Sequence, residues 1–321
     1  MHHQKKVAVI IVNYNAGALL ASHLSRVFES AGDGINLRVF IVDNQSTDDS
    51  YECLAVKVSE PAFSDKVELI LADRNGGFAY GNNEGIKAAL SSGFQPDYFY
   101  MLNPDAVPFP EAIDVLVQEA LKLSNLCILG SQMYHENGTK AASAFRFPSV
   151  ISEFNRGANL GVISRSIKKS TLVIPTETRL VECDWVCGAG FLIPIEVFES
   201  LGFMDEDYFL YYEEVDYMKY ARAVDFTVAV LTNSKVTHIA GVSTGIVGGK
   251  VQQAKIPLYW YESWHRYFFK NHSFFIACLS GFAWLSGRLL NNFSAIFLPR
   301  RKPVDGHSMY VFFRKALMGR S

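Results

Sequence analysis

Asp105 closes the run Phe99-Tyr100-Met101-Leu102-Asn103-Pro104-Asp105. Proline cannot donate to a sheet ladder, so a strand ends here and delivers the Asp105 carboxylate at its carboxyl end. Ligands of open α/β sheets bind at that edge, and an acid so placed can hold a divalent cation against a phosphate. A second acidic group, Tyr211-Tyr212-Glu213-Glu214-Val215-Asp216, mixes three carboxylates with aromatic neighbours. Poor solvation beside aromatic rings raises a carboxylate pKa toward the range of a general base. The same acids also suit the first turn of a helix, where its dipole stabilises them, and Asp216 fits that plainer role. His238 ends Lys235-Val236-Thr237-His238 and is either a structural histidine or a metal ligand, the latter if its strand lies beside Asp105.

Other apolar runs end in polar groups too. Asn13-Tyr14-Asn15 follows the first, and can present amides to a ligand or simply cap a helix. Asp43-Asn44-Gln45-Ser46-Thr47-Asp48 follows the second; Asp43 can accept from a base N–H, while Ser46 and Asp48 read as helix caps. The third leads into Asp73-Arg74-Asn75-Gly76-Gly77 and on to Asn82-Asn83. Gly76-Gly77 permits close backbone approach and Arg74 can reach a diphosphate. Neither a Walker loop nor a GxGxxG fingerprint is present, which argues against ATPase and dehydrogenase chemistry.

The elements that position these groups alternate. Val7–Val12, Leu37–Val42, Val67–Leu71, Tyr98–Leu102 and Leu126–Leu129 read as strands, with helical patterns near 17–30, 47–57, 79–91 and 110–123. This predicts a Rossmann-like, mainly parallel α/β sheet flanked by helices. Residues 131–182 lack periodicity and read as long loops over a cleft. Trp185–Ile193 then reads as a strand, Pro194–Leu201 and Glu213–Arg222 as helices, and Phe226–Leu231 and Lys235–Ile239 as strands. The expected division is a catalytic domain over 1–255, with halves of about 6–130 and 131–255, and a helical tail over 256–321.

At 321 residues, 49% of them hydrophobic, the chain can bury a large core. Five cysteines without a CxxC pair read as reduced thiols of a cytosolic protein. His2, His3, Lys5 and Lys6 run directly into the first strand, so no signal peptide is expected. The net charge of −2 hides an asymmetry: residues 265–321 hold nine Lys/Arg against one acid, Asp305, a net +8 that leaves −10 for the rest. Asn271–Gly287 is 17 residues without charge, and Arg288 interrupts it before Leu289–Leu298. That falls short of a membrane span. Beside Arg300-Arg301-Lys302 it reads as an interfacial element, the alternative being a buried helical hairpin. Basic residues set among apolar ones argue against nucleic-acid binding.

Asn13-Tyr14-Asn15, Val42-Asp43-Asn44, Asn75-Gly76-Gly77-Phe78-Ala79, Leu102-Asn103-Pro104-Asp105 and Tyr212-Glu213-Glu214-Val215-Asp216 resemble, in order and spacing, the motifs of glycosyltransferase family 2, above all its bacterial rhamnosyltransferase-like branch. The resemblance covers about residues 6–240. It implies a GT-A fold and inverting transfer from a nucleotide diphospho-sugar, dTDP-rhamnose in that branch, in surface polysaccharide (O-antigen or capsule) biosynthesis. The implied acceptor is a saccharide linked to polyprenyl diphosphate, at the inner face of the cytoplasmic membrane. By position, Asp43 resembles the base-reading aspartate, Asp105 the last acid of the DxD metal motif, Glu214 the catalytic base and His238 a further ligand. Asn13, Tyr14, Asn15, Arg74, Asn75, Asn82 and Asn103 complete the expected donor site, and Trp185 the acceptor site. Two departures stand out: Asn103 replaces the first DxD acid, and the usual Glu-Asp pair reads Glu213-Glu214, so Glu213 or Asp216 can take the base role instead.

The expected cofactor is Mn²⁺ or Mg²⁺, histidine favouring Mn²⁺. A sugar nucleotidyltransferase competes, but needs a GxGxR-type loop where Asn13-Tyr14-Asn15 stands. A non-catalytic nucleotide-sugar-binding scaffold at the membrane is a third reading, favoured by the reduced DxD.

Overall fold

The computed structural model describes residues 4–160, 171–239, 256–297 and 306–319. Along the chain come β1 (Lys5–Asn13), α1 (Gly17–Glu29), β2 (Ile35–Asp43), α2 (Ser50–Val58), β3 (Val67–Leu71), α3 (Gly77–Ser91) and β4 (Tyr98–Leu102). Next are β5 (Ala106–Pro108), α4 (Ala112–Ala120), β6 (Cys127–Tyr134), β7 (Ala144–Phe145), α5 (Val150–Ala158) and β8 (Val173–Ile174). Then follow β9 (Leu180–Glu182), β10 (Trp185–Val186), β11 (Gly190–Pro194), α6 (Ile195–Leu201), α7 (Glu213–Ala223) and β12 (Thr227–His238). The last elements are α8 (Leu258–Asn271), α9 (Phe274–Phe297) and α10 (Gly306–Val311), which continues as a π-turn over Phe312–Leu317. Two compact units result: Met1–Phe145 with Pro175–Phe209 and Glu213–Gln252, and Arg146–Ile174 with Leu210–Tyr212 and Gln253–Ser321.

In the first unit, nine strands among the described residues form one sheet, ordered β3-β2-β1-β4-β11-β6-β12-β5, with β9 also on β12. Strands β3, β2, β1 and β4 are parallel, as are β6 and β12; β11 runs antiparallel between β4 and β6. The predicted α/β architecture is therefore the one observed. Alternation along β1 divides its side chains between two helical layers. Val7, Val9 and Ile11 join Leu20, Leu24 and Val27 of α1 in one core. On the other face α3 comes close because Gly81 and Gly85 lack side chains: a Cβ there would stand 2.5 Å from Val12 and 2.5 Å from Ile10.

Several local expectations need correction. The strand expected over Trp185–Ile193 is two. β10 pairs with Phe145 and Ala144 of β7, whereas β11 joins the main sheet, and Cys187-Gly188-Ala189 turns the chain between them. Conversely, Phe226–Leu231 and Lys235–Ile239 belong to one strand, β12, whose register shifts between Leu231 and Lys235. A bulge of this kind hides strand continuity from a period-2 reading. The loop expected over 131–182 contains the end of β6, β7, α5, β8 and β9. Helix α5 is hard to see in the sequence because its capping box uses Ser149 and Ser152 in place of the usual glutamate.

In the second unit, α9 runs unbroken through Arg288, so the charge that interrupts the apolar run does not break the helix. Its Phe274–Ile296 segment, 23 residues, is long and apolar enough to cross a membrane by length and composition. Helices α5 and α9 touch backbone to backbone. A Cβ on Gly157 would lie 2.2 Å from the Trp284 carbonyl oxygen, and one on Gly287 2.3 Å from that of Phe154. Trp284 stacks on Phe312 at 4.0 Å, and Trp264 meets the same ring edge-on at 4.9 Å. Arg300-Arg301-Lys302 lies outside the described residues.

Candidate functional site

The carboxyl ends of β1 and β2 are tied together. Asn13 and Asp43 are register partners, and Asn13 Nδ2 donates to Asp43 Oδ2 at 2.8 Å. The Ser46 hydroxyl donates to the same oxygen at 2.7 Å and the Ser46 N–H to Oδ1 at 2.8 Å. Asp43 is 1% exposed and thus a fixed acceptor, three of its four lone-pair sites committed. Ser46 does not cap α2 as expected: it bridges Asp43, Asn13 and the Asn15 N–H. Asp48 does serve that end, accepting from Ser50 N at 3.0 Å. Asn15, at φ 54°, exchanges hydrogen bonds with Thr47; Tyr14 beside it is half-buried.

The third loop is built on Gly77, at φ +87°, where a Cβ would stand 1.9 Å from the Phe209 carbonyl oxygen. That oxygen accepts from Phe78 N at 2.8 Å. Asn75 Oδ1 accepts from Asn44 Nδ2 at 3.1 Å, and Asn44 also donates to the Gly77 carbonyl at 3.0 Å. The Arg74 guanidinium lies over the Tyr80 ring, 4.4 Å from its centroid, and is largely exposed. Asn82 turns inward and donates to the Phe78 carbonyl of its own helix at 2.9 Å.

At the end of β4 the chain passes through Asn103-Pro104-Asp105 directly into β5, whose Ala106 pairs with His238 of β12. That short strand, hidden by Pro108, is what brings His238 to Asp105: Nε2 lies 3.2 Å from Oδ1. Asn103 Nδ2 stands 3.5 Å from the same imidazole nitrogen, while Asn103 Oδ1 is buried without a partner among the described residues. Two ligands on one octahedral cation with ~2.1 Å bonds are about 3 Å apart, so the Asp105–His238 pair, with an orphaned buried oxygen beside it, fits a divalent cation. No group of three or more His, Cys, Asp or Glu suited to a metal occurs among the described residues. Two protein ligands leave most coordination positions to water or to substrate, the usual arrangement for Mg²⁺ on phosphates.

Glu213 and Glu214 open α7, preceded by Tyr211 and Tyr212 in consecutive left-handed conformations, φ 73° and 71°. Such strain in bulky residues persists only where the fold demands it. Oε2 of each glutamate is buried without a partner among the described residues. Burial pushes Glu214 up to about 7, and burial plus the Glu214 charge pushes Glu213 well above the carboxylate range. A Cβ on Gly188 would stand 3.6 Å from the Glu214 carboxyl, in ordinary van der Waals contact, so the turn between β10 and β11 lies directly beside it. The neighbouring Cys187 thiol is raised to about 11 by burial, then by the charges of Glu214 and Asp105, which gives all three groups one neighbourhood. Asp216 lies deeper on α7, 7% exposed. Trp185 stacks on Phe145 at 4.2 Å. Sequence reasoning missed Ser46, Asn44 and the Cys187-Gly188 turn; the Gly188-Ala189-Gly190 spacing was the available signal for the last.

These features agree with relationships to known proteins. The model of glycosyl transferase family 2 matches residues 8–173, and the chain belongs to that family. It is 26% identical over 216 residues to the low-salt glycan biosynthesis hexosyltransferase Agl10 of Haloferax volcanii, a match spanning 67% of this chain and 61% of that one. It is 24% identical over 250 residues to the N-acetylglucosaminyl-diphospho-decaprenol L-rhamnosyltransferase of Mycobacterium tuberculosis, across 74% and 77% of the two chains. Among solved structures, GalNAc-T7 with UDP, GalNAc and Mn²⁺ superposes with a TM-score of 0.57 at 15% identity, covering 87% of this chain and 51% of that one. S. aureus TarS gives 0.53 at 12% identity, covering 92% and 46%. These two likenesses bear on the fold, which is that of GT-A glycosyltransferases.

Proposed function

We propose that this protein is an inverting glycosyltransferase that moves a sugar from a nucleotide diphospho-sugar to a saccharide acceptor, with Glu214 as the base. The observation that carries the reading is Glu214 itself: a carboxyl with a buried oxygen that has no partner among the described residues, raised to about 7, beside the Gly188 turn. A base poised near the working pH balances availability against proton affinity. The acceptor oxygen bonds to the anomeric carbon as the bond from that carbon to the diphosphate oxygen breaks, and the hydroxyl proton passes to Glu214. Glu213, held neutral beside it, keeps a second negative charge away; Asp216, in the first turn of α7, complements the helix dipole. Asp43 offers its remaining lone pair to a base N–H, steadied by Asn13 and Ser46, while Tyr14, Asn15, Arg74, Asn75 and Asn103 border the donor. Asn82 acts through the helix that carries the loop, and Trp185 borders the acceptor. A bound Mn²⁺ or Mg²⁺, held by Asp105 and His238, would supply neutralising charge for the departing diphosphate.

The finer reading is transfer of L-rhamnose from dTDP-rhamnose to an acceptor on polyprenyl diphosphate, at the inner membrane surface, in surface polysaccharide synthesis. Its support is the name of the mycobacterial relative and the exposed apolar residues of α9. Purified full-length protein should be offered a panel of nucleotide sugars, dTDP-rhamnose included, with an isoprenyl-diphospho-N-acetylglucosamine acceptor and Mn²⁺. Transfer from one donor is expected, with Glu214→Gln slower by about 10²–10⁴-fold. Binding of donors without transfer from any would overturn the reading.

A further inference from the structure

Leu210, Tyr211 and Tyr212 belong to the second unit, whereas Phe209 before them and Glu213 after them belong to the first. Tyr211 and Tyr212 are also the two bulky residues held in the left-handed region, at φ 73° and 71°. A residue with a Cβ crowds its own carbonyl oxygen there, so two in succession persist only where surrounding contacts over-determine them.

Those contacts come from α5 and α8. The Leu210 carbonyl accepts from Ser263 Oγ at 3.0 Å. The Tyr211 ring stacks on Tyr259 at 6.0 Å, and the Tyr212 ring packs on Tyr267 at 5.1 Å and Trp260 at 6.3 Å. At its far end the Tyr212 hydroxyl accepts from Arg156 Nη1 at 2.9 Å. Arg156 is not free to follow a moving tyrosine. Its Nη2 donates to Glu153, and its guanidinium lies 4.5 Å from the Trp260 centroid. Glu153 is fixed in turn by Trp264, whose Nε1 donates to Oε2 at 2.9 Å and whose side chain is fully buried. A buried, hydrogen-bonded ion pair is costly to break, which makes it a firm anchor for the tyrosine.

Tyr212 immediately precedes Glu213 and Glu214. Returning its φ to the ordinary negative range would redirect the chain as it enters α7 and swing both carboxyls with it. A general base must stand within ~3 Å of the hydroxyl that it deprotonates. A displacement of ~1 Å can cost ~10²-fold in rate.

We propose that Arg156 is a positioning residue for the general base: by pinning the Tyr212 hydroxyl it holds the left-handed turn that aims Glu214. This rests on the reading of Glu214 as the base.

Tyr212→Phe removes only the hydroxyl and leaves the Arg156–Glu153 pair intact. In full-length protein with saturating donor and acceptor, kcat should fall about 10- to 10²-fold while the Kd for UDP with Mn²⁺ stays within about twofold. Lost packing alone would lower stability without splitting those two constants. Arg156→Lys keeps a charge for Glu153 but loses the fork, and should lower kcat as well. Combined, the two changes should cost no more than the larger one alone, because both break the same contact. Losses that multiply in the double variant, or wild-type kcat in Tyr212→Phe, overturn the proposal. A second readout needs no substrate. The buried Glu214 carboxyl titrates at about 7. In Tyr212→Phe its midpoint, followed by ¹³C NMR of glutamate-labelled protein, should drop by about half a unit or more as water reaches it. An unchanged midpoint overturns the proposal. A lowered midpoint in Tyr212→Phe, with a near-normal rate in Glu214→Gln, would uphold the positioning contact and overturn the base reading instead.

Discussion

His238 Nε2 stands 3.2 Å from Asp105 Oδ1, although the two residues are 133 positions apart in the chain. The pairing exists because β5 leaves the Asn103-Pro104-Asp105 turn at once and lies antiparallel to the end of β12, Ala106 opposite His238. A three-residue turn at the end of β4 thus brings a carboxylate and an imidazole from distant parts of the chain together.

That geometry gives the first prediction. Asp105→Asn and His238→Ala should each weaken Mn²⁺-dependent nucleotide diphosphate binding, the aspartate change by at least tenfold because it removes the charged member of the pair. Isothermal calorimetry with UDP and dTDP, with and without Mn²⁺, reads this directly. Equal affinities in wild type and both variants would remove the pair from the donor site.

Glu214 supplies the second. A base must be ionised, and the group titrates at about 7. With saturating donor, kcat/KM should therefore rise about tenfold per pH unit below that value and level off above pH 8. In Glu214→Gln the limb should vanish along with most of the rate. A wild-type profile flat from pH 5.5 to 8.5 would sink the assignment.

The strand ends that carry Asn13, Asp43 and Asp105 are legible in the sequence because an apolar run stopping at an amide, an acid or a proline marks the end of a buried strand and little else. Helix α3 is legible from periodicity, but the service of Gly81 and Gly85 in bringing it onto β1 is a tertiary fact. What the sequence hides has a common physical cause: the information is non-local. Whether Trp185–Ile193 is one strand or two depends on which neighbours compete for its hydrogen bonds, and β5 is too short for a pattern. Ser46 departs from expectation since a serine before a helix is usually a cap, whereas here Asp43 and Asn13 offer better partners. The continuity of α9 through Arg288 is hidden because a charge in an apolar run looks like an end. Stacked on Trp284, it is tolerated inside one.

A third prediction concerns stability. Glu213 and Glu214 hold protons more tightly in the folded chain than in the unfolded one, burial being the main cause. Between pH 4.5 and about 7 the folded state binds more protons, so these groups stabilise at low pH and the contribution is lost as pH rises. The loss is up to about 1.4 kcal/mol per unit of upward shift. Urea unfolding of Glu214→Gln should show a flatter pH dependence and greater stability than wild type at pH 8. A variant less stable than wild type at pH 8 would contradict the burial argument.

Gly77 provides the last. Its φ of +87° excludes L side chains at low cost, and a Cβ would also strike the Phe209 carbonyl oxygen at 1.9 Å. Gly93, at φ +72°, has the same conformational requirement but nothing within 4 Å. Gly93→Ala should therefore cost only the backbone term, about 1 kcal/mol, and leave donor binding untouched. Gly77→Ala adds a backbone collision and should cost well over about 2 kcal/mol. It should also loosen the Asn44–Asn75 contact, because Asn44 donates to the Gly77 carbonyl and Asn75 accepts from the Gly77 N–H. Donor affinity should consequently fall in Gly77→Ala at temperatures where the variant remains folded. Thermal unfolding and dTDP binding measured on both variants separate strain from collision; equal losses in the two would mean that the loop's approach to Phe209 contributes nothing.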